Sequence, residues 1–336
     1  MAEQLLVVRA ARQCPYGNIA AEKLLMDAVA PGQVVLYLWR NARTVVIGRN
    51  QSAHAEVNLS ELERDGGKLA RRYSGGGAVY HDLGNLNFTF IARRDAYDVT
   101  RQTQVIVEAV RALGVDAQVT GRNDVLVGGR KFSGHAYYRS GEACYHHGTL
   151  MVDVDVEQLS RYLRPSADKL LARGVRSVRS RVTNLVDIVP TLTVAQLDES
   201  LCAAFAREYG GVPREQAVDE VLDASALHEL AERLASPAWL LRDEQEFAHV
   251  ARERFAWGGV TLRYTLEEGR ICACSIASDG LEADYLEAVP ALLAGCEFSP
   301  AALEAALAAQ ADTEQLRTIA HDIAHMLCAP REGMQA

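Results

Sequence analysis

The N-terminal half reads as short apolar runs interrupted by polar turns. Residues 33–39 (QVVLYLW) and 44–47 (TVVI) are continuous apolar runs separated by Asn41–Arg43, which predicts a hairpin of buried strands. Residues 86–91 (LNFTFI) alternate and predict a strand, as do 124–127, before Gly128-Gly129, and 145–153. Between them, Val105, Ile106, Ala109, Val110 and Leu113 fall on one face of a helix over 101–113. From about residue 195 the pattern turns helical, with helices expected at 194–209, 224–235 and 243–255. Gly210-Gly211 and Ser236-Pro237 act as stops. The last hundred residues predict a small α+β module. Val260, Leu262 and Tyr264 alternate, Glu267–Gly269 turns, and Cys272, Cys274 and Ile276 alternate back as a hairpin. Helices follow at 282–294, 299–309 and 313–328. The boundary is expected within 236–242, giving domains at 1–238 and 239–336.

Composition narrows the class. The chain has 336 residues, 49% hydrophobic and 24% charged, as in a globular protein with a sizeable core. No apolar run approaches the roughly 18–20 residues of a membrane span, and the N-terminus carries no secretory pattern, so a cytoplasmic protein is expected. A net charge of −9 argues against a nucleic-acid binder. Seven cysteines, without a C-x-x-C, read as reduced thiols. Cys272 and Cys274 share one face of a strand, where packing is a better reading than metal binding.

Three blocks carry candidate chemistry. In RRYSGGGAVYHDLGN (71–85), three consecutive glycines are costly for packing alone, about 0.5–1 kcal/mol each in an element interior. They allow a ligand to approach the backbone and expose N–H groups to an anion, and Arg71 and Arg72 could supply charge to phosphate. The block matches neither a dinucleotide-binding fingerprint nor a P-loop. In GRNDVLVGGRKFSGHA (121–136), Lys131 stands out because only four of the 35 basic residues are lysine (23, 68, 131 and 169). An ammonium is a compact charge that fits between two anionic oxygens, such as a carboxylate and a phosphate. Asn123-Asp124 is compatible with Mg²⁺, a ribose hydroxyl or an Asx-turn. In CYHHGTL (144–150), His146 and His147 point to opposite faces of a strand, and no further zinc ligands have suitable spacing. His321 and His325 read as a helix-surface pair. The arginines of RGVRSVRSRVTN (173–184) suit a phosphate site, a docking patch for an acidic partner or a solvated loop.

These blocks, in this order and together with VVIGRNQ (45–51), SVRSRVTNL (177–185) and RERFAWGGVTL (252–262), resemble the lipoate–protein ligase family of two-domain bacterial type. The resemblance implies a mixed α+β sheet with flanking helices, like the catalytic domains of biotin ligases and class II aminoacyl-tRNA synthetases, plus a small α+β C-terminal domain. It implies that lipoate and MgATP form lipoyl-adenylate. The lipoyl group then passes to a lysine on a lipoyl domain of a 2-oxoacid dehydrogenase subunit or on the glycine-cleavage H protein. By motif match, Arg72, Gly77, Ala78, Val79 and Tyr80 hold the adenylate, with Asn123 and Asp124 as Mg²⁺ or phosphate contacts. Lys131 contacts lipoyl carbonyl and α-phosphate and is the catalytic residue; Ser74, Gly75, His81, His147 and Gly148 line the lipoate site. Arg176, Arg179 and Arg181 are candidates for docking an acidic acceptor face. A monomer is expected. Departures from the family pattern are Tyr73, His135, the short turn at 127–130 and the stretch 238–247. The alternatives are an octanoyl transferase working through a Cys144 thioester and a non-catalytic binder of lipoyl domains; a biotin ligase is disfavoured because RRYSGGG does not match its loop.

Overall fold

The computed structural model describes residues 4–120, 124–164, 182–242 and 247–329. Two units emerge. The first comprises Met1–Ile47, Ala53–Arg72 and Ala78–Leu241; the second comprises Gly48–Ser52, Tyr73–Gly77 and Arg242–Ala336.

In chain order the first unit contains β1 (Gln4–Arg9), α1 (Pro15–Ala28), β2 (Gln33–Trp39), β3 (Thr44–Ile47), α2 (Ala53–Glu56), α3 (Leu59–Arg64), β4 (Lys68–Arg71), β5 (Val79–His81), β6 (Asn85–Arg93), α4 (Val99–Ala112), β7 (Gln118–Thr120), β8 (Asp124–Val127), β9 (Arg130–Ser140), β10 (Ala143–Met151) and α5 (Val156–Tyr162). It continues with α6 (Val194–Tyr209), β11 (Arg214–Ala217), α7 (Val218–Val221), α8 (Ala224–Ala235) and α9 (Pro237–Leu240). Among the described residues its main sheet has eight strands in the order β11-β1-β2-β6-β10-β9-β8-β7. β1 runs parallel to β2 and β11, and the other pairs are antiparallel. A smaller sheet has the order β4-β3-β5.

The local signals explain the helices. Asp98 caps α4 by accepting from Arg101 N, and Val105, Ile106, Ala109 and Val110 are buried on one stripe. α6 starts in a Thr193–Gln196 capping box and ends at Gly210 in the left-handed conformation (φ 69°). α4 and α6 cover one face of the main sheet with an aliphatic and aromatic core.

The expected 33–47 hairpin does not form. β2 lies between β1 and β6, while β3 lies between β4 and β5 in the other sheet. Both strands are buried on both faces, so each needs a partner on both edges. The intervening Asn41 is buried and fixed by side chains, not exposed in a turn. Gly128 and Gly129 (φ 55° and 76°) form the two-residue turn joining β8 to β9, which accounts for that glycine pair.

The second unit contains β12 (His249–Phe255), β13 (Gly258–Glu267), β14 (Arg270–Ser278), α10 (Ala283–Leu293), α11 (Pro300–Ala308) and α12 (Glu314–Cys328). The β13–β14 hairpin turns at Glu268 and Gly269 (φ 48° and 75°), where the sequence places it. The helix expected over 243–255 is corrected: residues 249–255 are a strand paired with β13. Its Arg- and Glu-rich composition reads as helical, yet the strand forms because the turn into Gly258 brings the two segments together antiparallel. A register shift at Thr265/Leu266 buries Ile271 and leaves Cys272 exposed, while Cys274 packs against the core. His321 and His325 are exposed on α12, as expected of a surface pair. No described helix is long and apolar enough to cross a membrane.

Candidate active site

β6 separates two chemistries. Leu86, Phe88, Phe90 and Ala92 enter the core under α4 and α6. The alternate positions Asn85, Asn87 and Thr89 are also buried, so this polar face is not a solvated one. Buried polar groups are tolerated when bonded, and each of these residues makes at least one hydrogen bond. Asn85 donates to Asn87, Asn87 donates to Trp39 O, and the Trp39 indole N–H donates to Thr89 at 3.0 Å. Thr89 then donates to Glu22 Oε1 at 2.7 Å. Glu22 comes from α1, is fully buried, and also meets His147 Nδ1 at 2.7 Å. Its Oε2 is buried with no hydrogen-bond partner among the described residues. The result is a polar wall with one carboxylate, inside the protein.

Cationic and neutral donors border this wall. Arg72 follows β4, is buried, and donates to Val46 O at 3.2 Å. Burial pushes its pKa down to about 10, against the opposing fields of Tyr145 and Glu22. A guanidinium stripped of water in this way gains from an anionic ligand. His81 lies near Arg72 and His147, and burial, reinforced by their charge, lowers its pKa to about 3. Asn41 accepts from Asn18 through its side-chain oxygen, so its amide N–H donates to His81 Nδ1 at 3.2 Å. The His81 proton therefore sits on Nε2, which is buried with no hydrogen-bond partner among the described residues.

Lys131 is built into β9 from three sides. Its Nζ meets Asp124 Oδ1 at 2.6 Å, and both side chains are partly buried. A Cβ on Gly134 would lie 2.6 Å from Lys131 Cε, so the bare residue makes room for this side chain to cross the strand. Thr183 N donates to Lys131 O at 3.0 Å, which ties the strand to the Val182–Asn184 segment. Asp124 is thus committed to the ammonium, while Asn123 lies outside the described residues. Among those residues no cluster of three His, Cys, Asp or Glu could hold a metal ion.

The other sequence candidates divide clearly. Ala78 packs against the small-sheet core, and the buried Tyr80 ring rests on Tyr162 with its hydroxyl on Gln158 at 2.9 Å. Tyr80's side chain is therefore structural, and toward a ligand it offers backbone. The bareness of Gly148 accommodates Phe88, whose Cζ would be 2.6 Å from a Cβ there. Ser74, Gly75 and Gly77 belong to the second unit. There the expectation that the glycine run serves only ligand approach is corrected. A Cβ on Gly75 would collide with Gly280 O, and Gly76 adopts φ 89° with its N–H donated to Gly280 O at 3.1 Å. Gly77 has open space where a Cβ would be. Arg71 is also reassigned: its guanidinium is buried and donates to the carbonyls of Trp239 and Leu240. Arg176, Arg179 and Arg181 lie outside the described residues. Glu22, Trp39, Asn41 and Thr89 were missed; the available signals were a glutamate within the apolar stretch of α1 and the uncharged polar alternation of β6.

His135, a departure from the family pattern, lies with Ser133 on the α4 face. Ser133 Oγ donates to His135 Nε2 (3.0 Å), His135 Nδ1 to His146 Nε2 (2.9 Å), and His146 Nδ1 to Gln102 Oε1 (3.2 Å). This direction requires both rings neutral. Burial lowers the pKa of His135 to about 3 and that of His146 well below the usual value. His81, His135 and His146 therefore stay neutral in the fold at pH values where the unfolded chain protonates them, below about 6.5. The unfolded state then binds more protons, so stability is complete above about pH 6.5 and falls with acidification toward pH 3. The expected slope is about 1 kcal/mol per pH unit for each histidine. Urea midpoints at pH 7.0 and 5.5 check this; equal midpoints would contradict it.

Residues 14–206 match the family model described as the lipoyl protein ligase A/B catalytic domain. Residues 244–327 match that of the bacterial lipoate protein ligase C-terminus. Among solved structures, P. falciparum LipL1 in complex with lipoate has the same fold, with 24% identity, 95% of this chain and 98% of that chain covered, and a TM-score of 0.83. The bipartite lipoate protein ligase of Thermoplasma acidophilum, described with its E2 lipoyl domain, is 27% identical over 74% of this chain and 100% of that one, with a TM-score of 0.62. A lipoate-protein ligase A bound with ATP is 27% identical over 72% of this chain and 99% of that one, with a TM-score of 0.60. With its catalytic and C-terminal regions both matched in sequence and its fold matched along nearly the whole chain, the protein belongs to the lipoyl protein ligase A/B family.

Proposed function

We propose that the protein activates lipoate with ATP to lipoyl-adenylate and transfers the lipoyl group to a lysine of a lipoyl domain. The acceptors of this reading are 2-oxoacid dehydrogenase subunits or the glycine-cleavage H protein. The observation that carries it is Lys131, seated on bare Gly134 against Asp124, in a unit that also buries the Arg72 guanidinium and the neutral donor His81. Relatives solved with lipoate and with ATP support both substrates, and the archaeal relative described with its lipoyl domain supports the acceptor class.

A carboxylate is a poor acyl donor, and its oxygen must be made a leaving group. In the first step a lipoate oxygen bonds to the α-phosphorus, and the bond to pyrophosphate breaks. Two anions must meet for this, and Lys131 is suited to shift from Asp124 to the carboxylate and α-phosphate, stabilising the charge that develops at phosphorus. Arg72 holds the phosphate, and His81 Nε2–H donates to a ligand oxygen. Ala78, Val79 and Tyr80 offer backbone to the adenylate. His147, held by Glu22, lines the lipoate chain, and Gly148 offers only its backbone beside it. Mg²⁺ would neutralise the ATP phosphates, and Asp124, once exchanged from Lys131, fits the single protein carboxylate that such an ion takes. In the second step the acceptor amine attacks the lipoyl carbonyl and AMP leaves.

A thioester route through Cys144 is poorly served. The thiol is buried, burial raises its pKa, and strand alternation places it opposite the face bearing Tyr145 and His147. The test is acylation of an apo lipoyl domain, followed by gel shift, with and without ATP and with Cys144→Ser. The expected result is modification that needs both lipoate and ATP and is unchanged in Cys144→Ser. Nucleotide-independent acylation lost in that variant would overturn the reading.

A further inference from the structure

β4 is the outer strand of its sheet and pairs only with β3 among the described strands, in parallel. Side chains close its other edge. Tyr16 Oη donates to Leu69 O at 3.1 Å, and the Trp239 indole N–H donates to Arg71 O at 2.9 Å. Arg71 returns the contact, donating from Nε to Trp239 O at 2.9 Å and from Nη2 to Leu240 O at 2.7 Å. The Arg72 N–H donates to Ile47 O at 3.0 Å. The peptide unit joining Arg71 to Arg72 is therefore gripped at both polar ends, its carbonyl by Trp239 and its N–H by β3. A planar peptide fixed at both ends has no freedom to rotate, so the direction in which Arg72 leaves the backbone is set. Trp239 is itself fixed at its base: α9 starts with Pro237 after Ser236, whose hydroxyl accepts from Trp239 N. This clamp lies in the stretch, 238–247, that departs from the family's sequence pattern.

We propose that Trp239 is a positioning residue for nucleotide binding, acting through the Arg71–Arg72 peptide. The proposal rests on the reading that Arg72 holds the phosphate of the nucleotide. A side chain held in place before binding loses less freedom when it captures its ligand, so loosening the peptide should weaken ATP capture more than the chemical step.

The experiment is lipoate-dependent pyrophosphate–ATP exchange by the full chain carrying Trp239→Phe, Arg72→Ala or both. Trp239→Phe removes the indole N–H and keeps an aromatic ring. It is expected to raise KM for ATP five- to tenfold with kcat within twofold, and to have no further effect in the Arg72→Ala background. An unchanged KM beside an impaired Arg72→Ala protein would overturn the proposal and leave the reading intact. An equal rise in both backgrounds would overturn it too, by showing a purely structural role. An unimpaired Arg72→Ala protein would overturn the assignment beneath both. Should Trp239→Phe fail to fold, β-(3-benzothienyl)alanine at 239 keeps the bicyclic shape without the N–H and is judged by the same KM criterion.

Discussion

Lys131→Ala is expected to lower lipoate-dependent pyrophosphate exchange by about 10²–10³-fold, as loss of one preorganised contact to developing charge does. The effect on lipoate binding should be much smaller, because the ammonium matters most when negative charge builds up at phosphorus. Lys131→Arg should not restore the rate: Gly134 clears a path for a narrow stem, and a planar fork cannot sit between two oxygens as a point charge does. Some loss of stability is expected alongside, since the Lys131 and Asp124 side chains are only 20% and 18% exposed and truncating the lysine leaves a largely buried carboxylate. Exchange kinetics beside a lipoate titration by calorimetry check the split. Equal losses in binding and turnover would mean that Lys131 serves only the ground state.

Gly84→Ala should be the most damaging single methyl in the first unit. A Cβ at Gly84 would collide with Asp153 O and crowd Val154 N. These are backbone atoms, and the same Gly84 carbonyl accepts from both Val152 N and Asp153 N. Asp82 tightens the crossing by accepting from Gly84 N and Asp155 N. No side chain can rotate away to relieve the overlap. The cost should reach about 3 kcal/mol, the upper range for overpacking, which in a unit of this size lowers Tm by about 6–12 °C. Calorimetry of the variant checks it, and a native-like Tm would contradict the packing described for the loop. HDLGN is thus structural at Gly84, and at His81 it carries the proposed ligand donor.

What was legible in the sequence was local. The amphipathic stripe of α4, the capping box and glycine stop of α6 and the 267–269 turn are decided by residues within a few positions of each other. The failures were decisions made at a distance. Nothing between 33 and 47 announces that β2 and β3 join different sheets, because each strand's partners come from other parts of the chain. The strand at 249–255 is set by its pairing with β13, which outweighs its helical composition. The site followed the same rule. Lys131 could be singled out because lysine is rare in this chain, and the order of its motifs carried the family. Glu22, Trp39 and Thr89 become one constellation only when α1, β2 and β6 are packed together. The glycine run concealed two roles, since Gly75 and Gly76 fit backbone to backbone while Gly77 is left open.

The central claim is that this site joins a carboxylate to AMP before any acceptor protein arrives. Exchange of labelled pyrophosphate into ATP, measured with the unmodified chain and no acceptor present, tests it most directly. The account predicts exchange that appears only when lipoate is added. No exchange with lipoate present, from a protein that still acylates a lipoyl domain, would contradict it.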